Sequence, residues 1–171
     1  VSNFKDKGCM NKNLNKMWAP WRMEYIRNPK DSENGCILCN KLINKEEKLL
    51  VYKGEFSFVT MNLYPYNNGH IMICPNQHIS DFDELDLNVQ IEIMNLSSKL
   101  IRFIKKKMNA EGFNLGANQG IAGGAGIDEH FHLHIVPRWI GDTNFMPVLG
   151  HTKVQVDTLE NTCEILKEAF K

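Results

Sequence analysis

An α+β fold with a mostly antiparallel sheet is predicted by three features of the sequence. Two apolar runs around Lys53-Gly54-Glu55 read as a hairpin, one long apolar-rich stretch runs from Leu85 to Met108, and two further strand patterns follow it. Strands grouped before and after a single long helix, rather than alternating with helices, define this class. The expectation is roughly five strands, one long helix and a C-terminal helix.

Each element has its own signal. Leu49–Tyr52 and Phe56–Leu63 are apolar, β-branched or aromatic, and the Gly-containing turn between them makes them a hairpin. The stretch 62–69 holds Pro65, Asn67, Asn68 and Gly69 and reads as a loop. Gly69 to Pro75 is a third strand, ended by its proline. The Leu85–Met108 stretch opens with period-two alternation (Leu85, Leu87, Val89, Ile91, Ile93). Its length nevertheless favours a helix, and Leu87, Ile91, Met94, Ile101 and Ile104 recur at helical spacing. Lys105, Lys106 and Lys107 suit the C-terminal end of such a helix, where cations oppose the dipole. Phe113–Asn118 reads as a short strand, Gly120–Gly126 as a glycine-rich loop, and His130–Val136 as the last strand, stopped by Pro137. Val156–Phe170 reads as the C-terminal helix.

The 171 residues suffice for one domain with a substantial core and are too few for two comfortable ones. Residues 1–16 are polar and read as a flexible N-terminal extension, with 17–171 as the single domain. Trp18 and Trp21 require burial in a core or subunit interface. Lys+Arg and Asp+Glu are both 20, so the net charge is zero, which argues against a nucleic-acid-coating role but permits a small anionic substrate. The sequence holds no apolar run long enough for a membrane span and no signal-peptide pattern near its start, which makes the cytoplasm the expected compartment.

The five cysteines (Cys9, Cys36, Cys39, Cys74 and Cys163) form no disulfide framework. Only Cys36 and Cys39 are close, at a Cys-x-x-Cys spacing that suggests metal binding or redox chemistry; the βαβ setting of a thioredoxin-like pair is absent. The other three read as inert thiols, and His151 as a surface residue.

The chemistry concentrates in His130-Phe131-His132-Leu133-His134-Ile135-Val136. On a strand, alternate residues share a face, so the three histidines point one way and Phe131, Leu133 and Ile135 point into a core. Crowded imidazoles depress one another's pKa, and neutral imidazoles serve as nucleophiles, metal ligands or proton shuttles.

This His-φ-His-φ-His-φ-φ pattern resembles the signature of the histidine triad nucleotide hydrolases and transferases. The likeness runs from about Leu49 to Arg138, and Asn62, eight residues before His70, resembles the family's ribose-contacting residue. Met17–Ile26 and the segment 137–145 resemble the diadenosine tetraphosphate phosphorylase (ATP adenylyltransferase) branch. The resemblance implies the histidine triad fold and a nucleophilic His132 that attacks the α-phosphorus of a nucleotide. A covalent nucleotidyl-histidine forms and is then released to water or phosphate. It implies that His134 contacts the phosphoryl oxygens. His70 reads either as a partner near the phosphates or as a buried structural histidine. Asn118, or Gln119 if the loop is shifted by one, would be a polar residue on the phosphate side. Backbone N–H groups around Gly124 and Gly126 would donate to developing charge.

Gly126 and Ile127 stand where some members carry Gln and Ser. That departure counts against a phosphoramidate hydrolase and less against substrates with a polyphosphate leaving group. Zinc-bearing relatives further imply a structural Zn²⁺ held by Cys36, Cys39, His78 and His130. They also imply a homodimer in which Phe145 and Met146 reach the partner's site. The expected ligand is a purine nucleotide or dinucleoside polyphosphate. The readings carried forward are a nucleotidyltransferase, a hydrolase of dinucleoside polyphosphates or nucleotide adducts, and a non-catalytic zinc-stabilised nucleotide-binding protein.

Overall fold

The structure, a computed structural model, describes residues 35–44, 47–142, 149 and 155–171. The expectations for the N-terminal extension, Cys9, Trp18, Trp21, Phe145, Met146 and His151 lie outside these residues.

The element order is α1 (Ile37–Ile43), β1 (Leu50–Lys53), β2 (Ser57–Met61), β3 (Ile71–Pro75), α2 (Leu87–Met108), β4 (Gly112–Gly116), β5 (Leu133–Arg138) and α3 (Leu159–Lys167). The strands form one sheet in the order β1-β2-β3-β5-β4, every pair antiparallel. The chain therefore crosses from β3 through α2 to the outer strand β4, then returns to place β5 in the gap.

Two apolar clusters flank the sheet. The larger joins Val59, Met61, Ile71, Ile73, Phe131 and Ile135 to Val89, Ile93, Leu96, Leu100 and Ile104 of α2 and to Cys163 and Leu166 of α3. The smaller, on the opposite face, joins Phe58, Met72 and Cys74 to Cys36 and Leu38 of α1. The long helix exists as expected, but the apolar stripe that identified it is buried only at its C-terminal end, where Ile101 packs on the core and Ile104 lies inside it. Leu87, Ile91 and Met94 are 68%, 49% and 58% exposed, whereas Leu100 and Ile104 are fully buried. The helix carries two stripes, and tertiary contact selects the one opposite the sheet. Its end follows the sequence closely: Asn109 adopts the left-handed conformation (φ 53°) at the cap, behind the three lysines.

The last strand is shifted from its expected position. β5 starts at Leu133, so His130 and His132 precede the ladder, and it continues through Pro137 to Arg138. Proline is tolerated because β3 pairs only as far as Ile71↔Ile135, while Pro137 pairs with Phe113 of β4. Its carbonyl faces the β3 side, where it accepts from Asn67. Its missing N–H faces the same side, past the end of β3, and forfeits no ladder bond.

The short helix α1 lies in a stretch for which the sequence reading gives no element. Cys36 is its N-cap, so Cys36 and Cys39 stand about one turn apart at the start of the helix. The C-terminal helix is shorter than expected; it begins after Thr158, whose side chain accepts the Asn161 N–H, and ends in a 3₁₀ turn at Glu168–Phe170. Among the described residues, no helix is long and apolar enough to cross a membrane.

Candidate active site and metal cluster

The alternation of the histidine segment holds even though β5 begins only at Leu133. The Phe131 N–H donates to the Ile79 carbonyl at 2.7 Å, which keeps the segment extended before β5 begins. Phe131, Leu133 and Ile135 join the larger core, and the three histidines lie on the other face.

His132 is 4% exposed. Its Nδ1 lies 2.8 Å from the His130 carbonyl oxygen. A carbonyl only accepts, so Nδ1 carries the proton and Nε2 keeps its lone pair. Burial lowers the His132 pKa, outweighing that hydrogen bond, and favours the neutral ring. The outcome is a neutral imidazole with one defined nucleophilic nitrogen.

His134 packs edge-on to His132, ring centroids 4.9 Å apart. Its Nδ1 lies 2.9 Å from His70 Nε2, and His70 Nδ1 accepts the Tyr66 N–H at 3.0 Å. The backbone donor fixes the order: Nδ1 of His70 accepts, so its Nε2 holds the proton and donates to His134 Nδ1. The proton of a neutral His134 therefore sits on Nε2, a donor suited to a phosphoryl oxygen. His70 is fully buried, and the Tyr66 ring lies against both imidazoles, at 4.6 Å and 5.9 Å. On the far side of His134 the β4 residue in register is Gly116, where a side chain would meet nothing within 4 Å. The strand thus leaves open space beside the ring.

Asn62 sits at the mouth of the loop before β3. Its Oδ1 accepts the Tyr64 N–H at 2.9 Å, and its amide nitrogen lies 3.4 Å from both ring nitrogens of His70. Gly69 ends this loop with φ 72°, where a side chain would press on Met108 and Pro137.

The glycine-rich loop is organised differently from expectation. The Gly124 N–H donates to Ile121 and the Ala125 N–H to Gly120, so these donors close turns inside the loop rather than facing a phosphate. Gly123 could carry no side chain, because one would collide with the Gln119 carbonyl. The Asn118 amide reaches the Gly124 carbonyl at 3.5 Å, and the Gln119 side chain accepts the Phe82 N–H at 3.1 Å. Both alternatives for the phosphate-side residue hence hold the loop together in this conformation. Gly126 ends the loop.

Cys36, Cys39, His78 and His130 converge, with all four ligand atoms within 4.8 Å of one another. His130 Nδ1 is 3.4 Å from Cys36 Sγ and 3.5 Å from Cys39 Sγ, and His78 Nδ1 is 3.4 Å from Cys39 Sγ. These values match the edges of a tetrahedron built on Zn–N and Zn–S bonds, about 3.3–3.8 Å. His130 Nε2 donates to the Pro75 carbonyl at 2.9 Å, which leaves Nδ1 with its lone pair toward the thiols. The residues present therefore fit a divalent metal. Burial pushes the Cys39 thiol up to about 11, with the Cys36 thiol adding to it; a bound cation would reverse that balance. Cys74 and Cys163 are buried thiols whose pKa burial raises.

Three residues at this site carried no functional signal in the sequence. Tyr66 acts through its backbone N–H, which no side-chain pattern reveals. Asn67 and Asp142 meet at 2.7 Å although 75 positions apart. A turn-forming Asn before the Gly69-His70 pair was the available hint for the first.

Comparison with known proteins agrees with this geometry. The HIT domain family matches residues 44–139. The chain is 36% identical to AP-4-A phosphorylase of Mycobacterium tuberculosis (strain ATCC 25618 / H37Rv), covering 90% of this chain and 83% of that protein. It is 31% identical to an uncharacterized HIT-like protein of Methanocaldococcus jannaschii, covering 78% and 97%. Among solved structures it resembles a Zn-bound histidine triad family protein from Mycobacterium smegmatis, with a TM-score of 0.66 at 21% identity, covering 80% of this chain and 93% of that one. A hypothetical histidine triad nucleotide-binding protein from Sulfolobus tokodaii gives 0.65 at 26% identity, covering 78% and 91%. With its triad, its sheet order and these relatives in agreement, the chain belongs to the HIT domain family.

Proposed function

We propose that this protein is a nucleotidyltransferase that splits dinucleoside polyphosphates, diadenosine tetraphosphate among them, with phosphate as acceptor. The observation that carries the reading is the His132 ring, held with its Nε2 lone pair available beside the Nε2–H of His134. In the first step His132 Nε2 attacks the α-phosphorus, the bond from that phosphorus to the bridging oxygen breaks, and ATP leaves. In the second step a phosphate oxygen attacks the same phosphorus, the P–N bond breaks, and ADP leaves. His134 donates to the non-bridging oxygens as charge builds on them. Asn62 orients the ribose, and Asn118 and the loop through Gly124 and Gly126 border the phosphates. The similarity to the mycobacterial phosphorylase supports phosphate as acceptor.

Cys36, Cys39, His78 and His130 would hold Zn²⁺. With all four positions supplied by the protein, the ion would fasten α1 to the segment leading into β5 and would not activate water. A thiol-rich ligand set calls for a reducing compartment, which supports a cytoplasmic setting. A homodimer is supported by β4 at the sheet edge and by exposed Leu115, Ile91 and Met94. Light scattering of the purified chain tests it, and a monomer at micromolar concentration would remove it.

The deciding assay supplies diadenosine tetraphosphate with and without phosphate, to wild type and His132→Ala. ADP plus ATP, formed only with phosphate and only by wild type, is the expected result. AMP plus ATP without phosphate would make the protein a hydrolase. No turnover with retained nucleotide binding would make it a binding protein.

A further inference from the structure

We infer that Asp142 is a positioning residue for the triad, acting through Asn67; the inference rests on the nucleotidyl-transfer reading of the same site. Asn67 is 7% exposed, and its amide donates both hydrogens, to the Pro137 carbonyl at 3.0 Å and to Asp142 Oδ2 at 2.7 Å. Its own carbonyl accepts the His70 N–H at 3.2 Å. One buried amide thus joins the turn that ends at His70 to the strand that carries His134, three residues beyond that histidine. The 2.9 Å contact between the two imidazoles sits between this tie and the Ile71↔Ile135 register of the ladder.

The carboxylate is what lets the amide stay there. Asp142 Oδ2 also accepts from Arg138 Nε at 2.6 Å and from the Trp139 N–H at 3.2 Å, and Oδ1 accepts from Arg138 Nη2 at 2.8 Å. A carboxylate accepts only, and the guanidinium fork meets it with two parallel bonds, so its direction is fixed. Arg138 Nη1 continues to Asn114 Oδ1 on β4 at 2.9 Å. The cation nearest the triad on β5 is therefore engaged in this cluster and is not aimed at phosphate. Without the carboxylate, Asn67 would hold a buried unsatisfied donor and Arg138 would lose its partner. The turn would then relax away from β5, and His70 with it.

The test uses the full chain labelled with ¹⁵N-histidine, as wild type, Asp142→Ala, Asn67→Ala, the double variant and Asp142→Asn. Wild-type His134, assigned against His134→Asn, should show the neutral Nε2–H imidazole signature. Asp142→Ala and Asn67→Ala should each broaden or lose it and lower diadenosine tetraphosphate turnover by about 10–100-fold. The double variant should be no worse than Asn67→Ala alone, because the two residues act as one unit. Asp142→Asn, which retains an oxygen for Asn67, should recover part of both readouts. An unchanged His134 signature in Asp142→Ala, or additive losses in the double variant, would overturn the inference. If Asp142→Ala does not fold, Asp142→Asn and Arg138→Lys carry the same comparison. If wild type turns over no substrate, the proposed reaction fails, and the imidazole spectra still decide the role of Asp142.

Discussion

The carbonyl oxygen of His130 accepts the Nδ1 proton of His132 at 2.8 Å, while the His130 ring faces two thiols. One residue therefore serves the Cys/His cluster with its side chain and the proposed nucleophile with its backbone. The two sites share a covalent frame.

Replacing His132 with Ala should lower turnover by more than ~10³-fold and leave nucleotide affinity within a few-fold of wild type. Single-turnover product formation and equilibrium binding of a nonreactive nucleotide separate the two quantities. A variant as active as wild type would show that another group attacks phosphorus.

Cys36→Ser together with Cys39→Ser should remove about one zinc per chain and lower the thermal midpoint. Elemental analysis of the purified protein and a melting curve report both. Full zinc retention would assign the metal to other ligands. Turnover should fall less than in His132→Ala, because the His130 carbonyl stays in place and only its anchoring loosens.

Glu92 predicts an acid-range stability change. Burial alone would raise its carboxyl pKa. Hydrogen bonds from Ser57 Oγ and the N–H groups of Phe56 and Glu55 outweigh burial and hold it below its ordinary value of 4.5. A group whose pKa is lower in the folded state adds stability above its unfolded value, and that stability is lost as pH falls through the folded value. Thermal midpoints should decline below about pH 4.5 in wild type and more shallowly in Glu92→Gln, which should also be less stable near neutrality. Parallel curves for the two proteins would refute this role for Glu92.

The helix face is tested by paired truncations. Leu100→Ala should cost about 2–5 kcal/mol in chemical denaturation, as a fully buried leucine does. Ile91→Ala should change stability by no more than about 0.5 kcal/mol at concentrations where the chain is monomeric. Equal costs would show that the exposed stripe also packs.

That pairing marks where the sequence was legible and where it was not. The triad could be read because its chemistry repeats every second residue, and a period of two survives even where the ladder has not begun. The four residues of the Cys/His cluster could be named only through the resemblance to zinc-bearing relatives, because Cys36 and His130 lie 94 positions apart and no local pattern joins them. The buried face of α2 could be read at Ile101 and Ile104 but not over its first turns, where Leu87, Ile91 and Met94 offer a second apolar stripe of the same period and only the sheet chooses between them. The end of β5 was misread because Pro137 is a strand breaker only where a neighbour needs its N–H. Gly124 resembled a phosphate cradle, yet its N–H closes a turn, a choice between equal local geometries that composition does not encode. Asp142 had no local signal at all, because its role exists only where a distant loop meets it.

The hydrogen bonds from Tyr66 through His70 to His134 have a directional consequence. They start at a backbone amide, which does not surrender its proton at physiological pH. A proton arriving at His134 has no exit to solvent by this route, so the pair works as a fixed dipole and not as a conduit. A leaving group that must be protonated as it departs would gain nothing from that chain. A polyphosphate, stable as an anion, needs nothing from it, and the wiring of two buried rings thereby favours one kind of bond to break.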